Sequence, residues 1–480
     1  MRKIALFSMA AGLCLAGPAL SAEQVDLLIR HANIIDVATG KVAADRMVAV
    51  RGEDIVAVGA DKDAAGFTAS RTVDATGKFV TPGLWDMHVH FGGGPELIQE
   101  NKDLLPLYLA HGITSVRDCA GDLAEEVLAW RGQIQRRELL GPTLYTSGPK
   151  LEGYKPIWKG VLEVGTEAEV NAALDRLQAL KVDFVKITDN TLKPELFLYA
   201  VREATRRGLR TSAHIPAAIT VEQASAAGLT SIEHMSYALR PGSPEEAELA
   251  AGVAAGKVTP AEASARIMAT FDAATARAAY KGFAARGMFI TPTLNGSKAT
   301  TYLDQDDHKH DAYLAYIGPG LKKTYEWRVE RAAKDDAAAI QRRHRNYEKA
   351  ADLLPLLRDS GMTIIAGTDA GFLNSFNYPG VGLHDELGIF VAHGLTPLQA
   401  LQAATLAGPK YFGTSARYGA VAKGKASDIL ILDGNPVQDI AATRTVRGVV
   451  LRGWYFDRVE LDGMLAAAKA KVAEAEATAH

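Results

Sequence analysis

The stretch Phe79-Val-Thr-Pro-Gly-Leu-Trp-Asp-Met-His-Val-His90 decides how the chain is read. It is a short apolar strand that ends in two histidines, His88 and His90. Residues i and i+2 of a strand share a face, so both imidazoles can reach one point, as a metal ion requires. Gly92, Gly93 and Gly94 follow and suit an open loop at a strand mouth. Alone, such a pair is equally two polar residues at a strand end. Its meaning depends on what the rest of the chain brings to it.

Beyond His90 the pattern becomes strands alternating with amphipathic helices. Candidate strands lie at 113–117, 143–147, 184–188, 210–215, 231–235, 288–294 and 363–368, with helical stretches such as 166–180 and 193–207 between them. With the opening strand this makes eight βα repeats, which predicts an α/β fold, a (β/α)8 TIM barrel. A doubly wound sheet is the alternative. Two Ala-rich helical insertions interrupt the rhythm near 240–286 and 295–359. On a barrel they fall on the catalytic face as lids or pocket walls.

Both ends of the chain read as β structure. Short runs at 25–31, 32–36, 46–51 and 54–58 are separated mainly by turn signals and predict a small antiparallel unit. Strand patterns return at 425–433 and 446–453. The expectation is a composite β-sandwich of 23–80 and 413–460, closing around a hydrolase barrel at 81–412. Residues 461–480 read as an Ala-rich helix or tail.

The chain has 480 residues, 48% hydrophobic and 23% charged, with net charge −3. A globular protein follows, with no basic excess to suggest a nucleic-acid partner. Met1-Arg2-Lys3, an apolar run and small residues at Ser21 and Ala22 read as a signal peptide over 1–22. This predicts a periplasmic or secreted protein with no membrane span after cleavage. Of the two cysteines, Cys14 lies in that segment, so Cys119 has no partner and reads as a buried structural thiol. The sequence leaves room for a homo-oligomer.

Residues at the C-terminal ends of barrel strands face one shared site. Those ends supply His88 and His90, Lys186, His214, His234 and Asp369. Six such residues at strand ends form a constellation. On these residues the chain resembles the metal-dependent amidohydrolase superfamily. The flanks Thr81-Pro-Gly-Leu-Trp-Asp-Met-His-Val-His90 and Gly424-Lys-Ala-Ser-Asp-Ile-Leu-Ile-Leu-Asp433 match as well. Phe184-Val-Lys-Ile-Thr188 and Gly382-Leu-His-Asp-Glu-Leu387 place it nearest the imidazolonepropionase-related branch, which includes binuclear prolidases and other Xaa-amino-acid dipeptidases.

The resemblance implies two divalent ions. His88, His90 and Asp369 would hold one, and His214 and His234 the other. Lys186, carbamylated by CO2, would bridge them. A cationic lysine would be repelled by the ions, whereas its carbamate is an anionic ligand. Imidazoles and anionic oxygens suit Zn²⁺ or another first-row ion. Ions roughly 3.5–4 Å apart can share a hydroxide that attacks an amide carbonyl. Asp369 would pass the proton to the leaving amine. Other roles stay open: a lysine salt-bridged in a one-metal site, a His234 that orients substrate, an Asp369 that is ligand only.

The implied substrate is a small molecule, a dipeptide or N-acyl amino acid, with Tyr237 and Arg240 as candidates to hold its carboxylate. A lactonase or phosphotriesterase would use the same centre. A one-metal deaminase would not need Lys186, and a binding protein would be expected to lose ligands. His384 is a candidate support for the ligands.

Overall fold

The structure is a computed structural model that describes residues 22–478. The expected signal segment lies outside these residues, apart from Ala22. The chain opens with β1 (Glu23–Asp36), β2 (Lys41–Arg51), β3 (Asp54–Ala60), β4 (Phe67–Asp74) and β5 (Phe79–Pro82). The two patterns expected at 25–31 and 32–36 are one strand. His31 takes a left-handed φ of 56° and the β1–β2 register shifts there, so the strand bends without ending. The unit is mixed rather than antiparallel. β1 pairs antiparallel with β2 but parallel with β4 and β5. The chain between β1 and β4 is long enough for the crossover that a parallel pair needs.

The next strands are β6 (Leu84–His90), β7 (Ile113–Asp118), β8 (Thr143–Thr146), β9 (Leu151–Glu152), β10 (Leu162–Glu163), β11 (Val185–Ile187), β12 (Thr211–Ala213), β13 (Ser231–Glu233), β14 (Phe289–Thr291), β15 (Thr363–Ile364) and β16 (Ala370–Gly371). All their pairings are parallel and fall in two sheets, β16-β6-β7-β8 and β10-β9-β11-β12-β13-β14-β15. The fold is therefore α/β with parallel sheets. The strand expected at 363–368 is split. β15 pairs with β14 and β16 with β6, and between them Ala366 O accepts from Met87 N at 3.0 Å. On the opposite side Asp183 N donates to Thr146 O at 2.9 Å. Backbone hydrogen bonds thus link the two sheets at both seams.

β17 (Ile429–Leu432), β18 (Val446–Leu451) and β19 (Trp454–Asp457) return to the N-terminal unit through β17–β5, making one eight-stranded sheet from both chain ends. Gly83 separates β5 from β6. A Cβ there would lie 2.2 Å from Thr114 Oγ1, so only glycine lets the chain pass from one sheet to the next.

The expected helices are present at Glu167–Ala179, capped by Thr166 Oγ1, and at Pro194–Arg206. Three helices from Glu246 to Ala285 occupy the first insertion, and helices at Leu294–Thr301 and Ala337–Ala351 flank the second. The helix at the C-terminus runs Arg458–Thr478 and is anchored by buried Leu461, Ala468 and Val472 and by ion pairs of Lys471 with Asp103 and Lys322 with Glu476. No described helix is long and apolar enough to cross a membrane. Cys119 is buried, as expected.

Candidate metal centre

β6 is buried almost throughout, and its alternation turns Asp86, His88 and His90 to one side. His88 Nε2 and His90 Nε2 stand 3.2 Å apart, and Asp369 Oδ1 lies 3.4 and 3.0 Å from them. His214 follows β12 directly and His234 follows β13, with their Nε2 atoms 3.0 Å apart. The rings of His88 and His234 are 5.0 Å apart, so the two pairs form one cluster. Five of the six expected residues thus meet by measured contact. The sixth, Lys186, sits in the middle of β11, 1% exposed, and its charge bears on His88, His214 and His234. Its Nζ is buried and has no hydrogen-bond partner among the described residues.

The outer nitrogen of three rings is fixed. His88 Nδ1 is 2.7 Å from Glu233 Oε2 and His90 Nδ1 is 2.5 Å from Ala120 O. His234 Nδ1 is 2.7 Å from Thr293 Oγ1, whose own proton goes to Pro292 O at 2.8 Å. Each of these oxygens is left to accept, so each ring carries its proton on Nδ1 and turns an Nε2 lone pair inward. Burial, with the Lys186 charge next, holds His88 and His214 well below the usual histidine range; burial takes His234 down to about 4. His88, His214 and His234 are therefore neutral at neutral pH. The Nε2 atoms of His88 and His90 thus face each other at 3.2 Å and Asp369 Oδ1 at 3.4 and 3.0 Å, a close set of mutually repelling acceptors. A cation relieves that repulsion, so the donor set fits divalent metal.

The backbone is shaped to deliver these groups. His234, Thr293 and Asp369 have φ values of 73°, 51° and 66°, a region that costs free energy for residues with side chains. Ala120, whose carbonyl receives His90, has φ 73°. Asp86 holds the Asp369 loop by accepting from Thr368 N at 3.0 Å and Thr368 Oγ1 at 2.8 Å. Asp369 N donates to His88 O at 2.7 Å. Gly371 lets β16 approach β6, because a Cβ there would sit 2.1 Å from His90 O.

Glu233 and Arg117 were not anticipated. Fully buried Glu233 accepts from His88 Nδ1, Arg117 Nη2 at 2.8 Å, and Ser212 Oγ and Ser231 Oγ at 2.7 Å each. Arg117 also donates to Met87 O and Thr291 Oγ1 and packs over Phe184 and Tyr411. The alternation that singles out His88 and His90 also turns Ser231 and Glu233 inward on β13. That signal was available.

Tyr237 stacks on His214 with ring centres 5.9 Å apart and donates to Asp189 Oδ2 at 3.0 Å. Arg240 is engaged elsewhere: it donates to the carbonyls of Ile215, Pro216 and Ile219 and pairs with Glu246 at 3.5 Å. Its fork shapes a wall rather than offering a free cation. His384 lies away from the ligands, between Thr443 Oγ1 at 2.9 Å and His111 O at 3.0 Å, so the supporting role expected for it is not met.

The sequence profile of the amidohydrolase family matches residues 79–455. The ochratoxinase of Aspergillus niger is 24% identical over 487 residues, covering 89% of this chain and 86% of that protein. Its crystal structure superposes with a TM-score of 0.62 at 20% identity, over 90% of this chain and 96% of that one. A bottromycin amidohydrolase superposes with a TM-score of 0.70 at 21% identity, over 93% and 90% of the two chains. A Xaa-Pro dipeptidase with methionine in its active site gives 0.64 at 20% identity, over 90% and 99%. With a profile match across most of its length, the chain is an enzyme of the amidohydrolase family.

Proposed function

We propose that this enzyme is a binuclear metal-dependent hydrolase that cleaves a C–N amide bond in a dipeptide or N-acyl amino acid. The observation that carries the reading is the Lys186 amine, buried without a partner among the described residues and close to His88, His214 and His234. An ammonium there would be an uncompensated buried charge, which costs several kcal/mol. Loss of one proton gives the neutral amine, whose nitrogen adds to CO2 and sheds a second proton, so the cation becomes an anionic carbamate. His88, His90 and Asp369 would hold one ion, His214 and His234 the other, and the Lys186 carbamate both; Zn²⁺ suits these donors. Ions bound there would supply Lewis-acid polarisation of the amide carbonyl and a water of lowered pKa.

The side chains do the rest. Glu233, Ala120 O and Thr293 keep the imidazoles in the ligating tautomer. Asp369, at the mouth of β6 and β16, is the proton carrier from water to the leaving amine. Tyr237 reaches the same space and orients the substrate, with Arg240 behind it.

The family profile and the amide-cleaving names of the neighbours support an amidase. The hydrogen bonds at both seams support reading the parallel sheets as one eight-stranded barrel, residues 81–412, with 23–80 and 413–460 closing a common β unit. We also propose that residues 1–22 direct export to the periplasm or medium. The test is turnover of dipeptides, N-acyl amino acids, lactones and phosphotriesters by metal-loaded protein. Preferential amide cleavage is expected. Turnover of lactones or phosphotriesters alone would replace the amidase reading with the alternative hydrolase.

A further inference from the structure

Beside His234 and Tyr237 a cavity of about 410 Å³ opens between the two helical insertions. That size falls within the range of about 300–1,000 Å³ typical of small-molecule clefts. Much of its wall is apolar, built by Leu249, Ile267, Met268 and Leu294 with Ala263 and Ala350. The charged groups on its wall are already engaged. Arg240 is bound to backbone carbonyls and Glu246, and Arg343 to Thr301 O and Asp335. Asp189 receives the Tyr237 hydroxyl. Ser236, Ser264 and Asn346 add uncharged polar groups to the wall.

We infer that this cavity receives an uncharged, bulky apolar group, aromatic or branched, that flanks the scissile amide of the substrate. The inference rests on the hydrolase reading above and names the substrate class of that site. An anionic group would meet no free cation here, a cationic one only Asp189, which already accepts the Tyr237 hydroxyl, and a small one would leave the apolar wall uncovered.

The test uses metal-loaded enzyme and dipeptides with Gly, Leu, Phe or Trp at each position in turn. At one position kcat/KM is expected to favour Phe or Trp over Gly by roughly 10–200-fold, the range of hydrophobic-pocket discrimination. Ala263→Phe and Ala350→Leu, from opposite walls, are each expected to lower that ratio about tenfold. The ratio is read within each variant, so partial loss of folded enzyme does not affect it, and two variants guard against one failing to fold. Dipeptide turnover with no bulk preference, or with a preference unchanged in both variants, would overturn the inference. No amide turnover at all would instead overturn the hydrolase reading beneath it.

Discussion

Replacing Glu233 with glutamine tests the support of the site where it is most concentrated. Glu233 is fully buried, and its two oxygens accept from His88, Arg117, Ser212 and Ser231. Glutamine keeps the shape but removes the charge facing Arg117, and its amide nitrogen presents a donor where an acceptor is needed. Breaking a buried ion pair costs roughly 3–5 kcal/mol. The retained amide oxygen still accepts, so about 3 kcal/mol is expected. Loss of the negative charge on the acceptor of His88 Nδ1 should weaken metal binding by roughly 10–100-fold. Urea unfolding of metal-free protein reads the first effect, and competition with a chromogenic chelator the second. The acid limb of the stability curve gives a further sign. Burial pushes the Glu233 carboxyl up, but Arg117 and then His88 outweigh it and hold it well below its ordinary 4.5. A depressed folded pKa contributes stability above 4.5 that is lost as pH falls through the folded value. The Glu233→Gln protein should lack that loss. A variant within about 0.5 kcal/mol of the parent, with unchanged metal affinity, would refute the role given to Glu233.

Glu386 has the opposite pH signature. Fully buried where it accepts from Leu294 N and Asn295 N, it is pushed up to about 8 by burial. A raised folded pKa gives stability that is complete below the unfolded value and lost as pH rises through about 8, by up to about 4 kcal/mol. Glu386→Gln should flatten thermal stability over that range, and an unchanged slope would rule the group out. Chelation of metal-loaded protein should lower Tm, because ligand bound at about 100 times its Kd stabilises by about 2.7 kcal/mol; an unchanged Tm after verified metal removal would deny that linkage. Thr293→Val removes the acceptor that fixes the His234 tautomer and should weaken metal binding by roughly 10–100-fold, read by the same chelator competition.

Much of the site was legible because alternation and position along a strand are local properties. His88 and His90 declare themselves by their i, i+2 spacing, and His214, His234 and Asp369 by closing strand patterns. The partners that fix them are not local. Arg117 meets Glu233 across 116 positions, and Asp86 meets Thr368 across 282. The left-handed turns at His234, Thr293 and Asp369 carry no glycine to announce them. Arg240 looked like a free cation because its acceptors are backbone carbonyls, which every residue has and no pattern reveals. The division of the eighth strand between β15 and β16 was hidden for a similar reason. Its hydrophobic run continues through Ile365 and Ala366, but their backbone amides bond to Ile290 O and to Ala403 O.

The central claim is that Lys186 holds both ions as a carbamate. Metal content and amide hydrolysis of Lys186→Ala, measured beside the parent protein, test it most directly. The expected result is about two divalent ions per active parent chain, with metal lost and hydrolysis abolished in the variant. Undiminished hydrolysis by a variant that still holds both ions would contradict it.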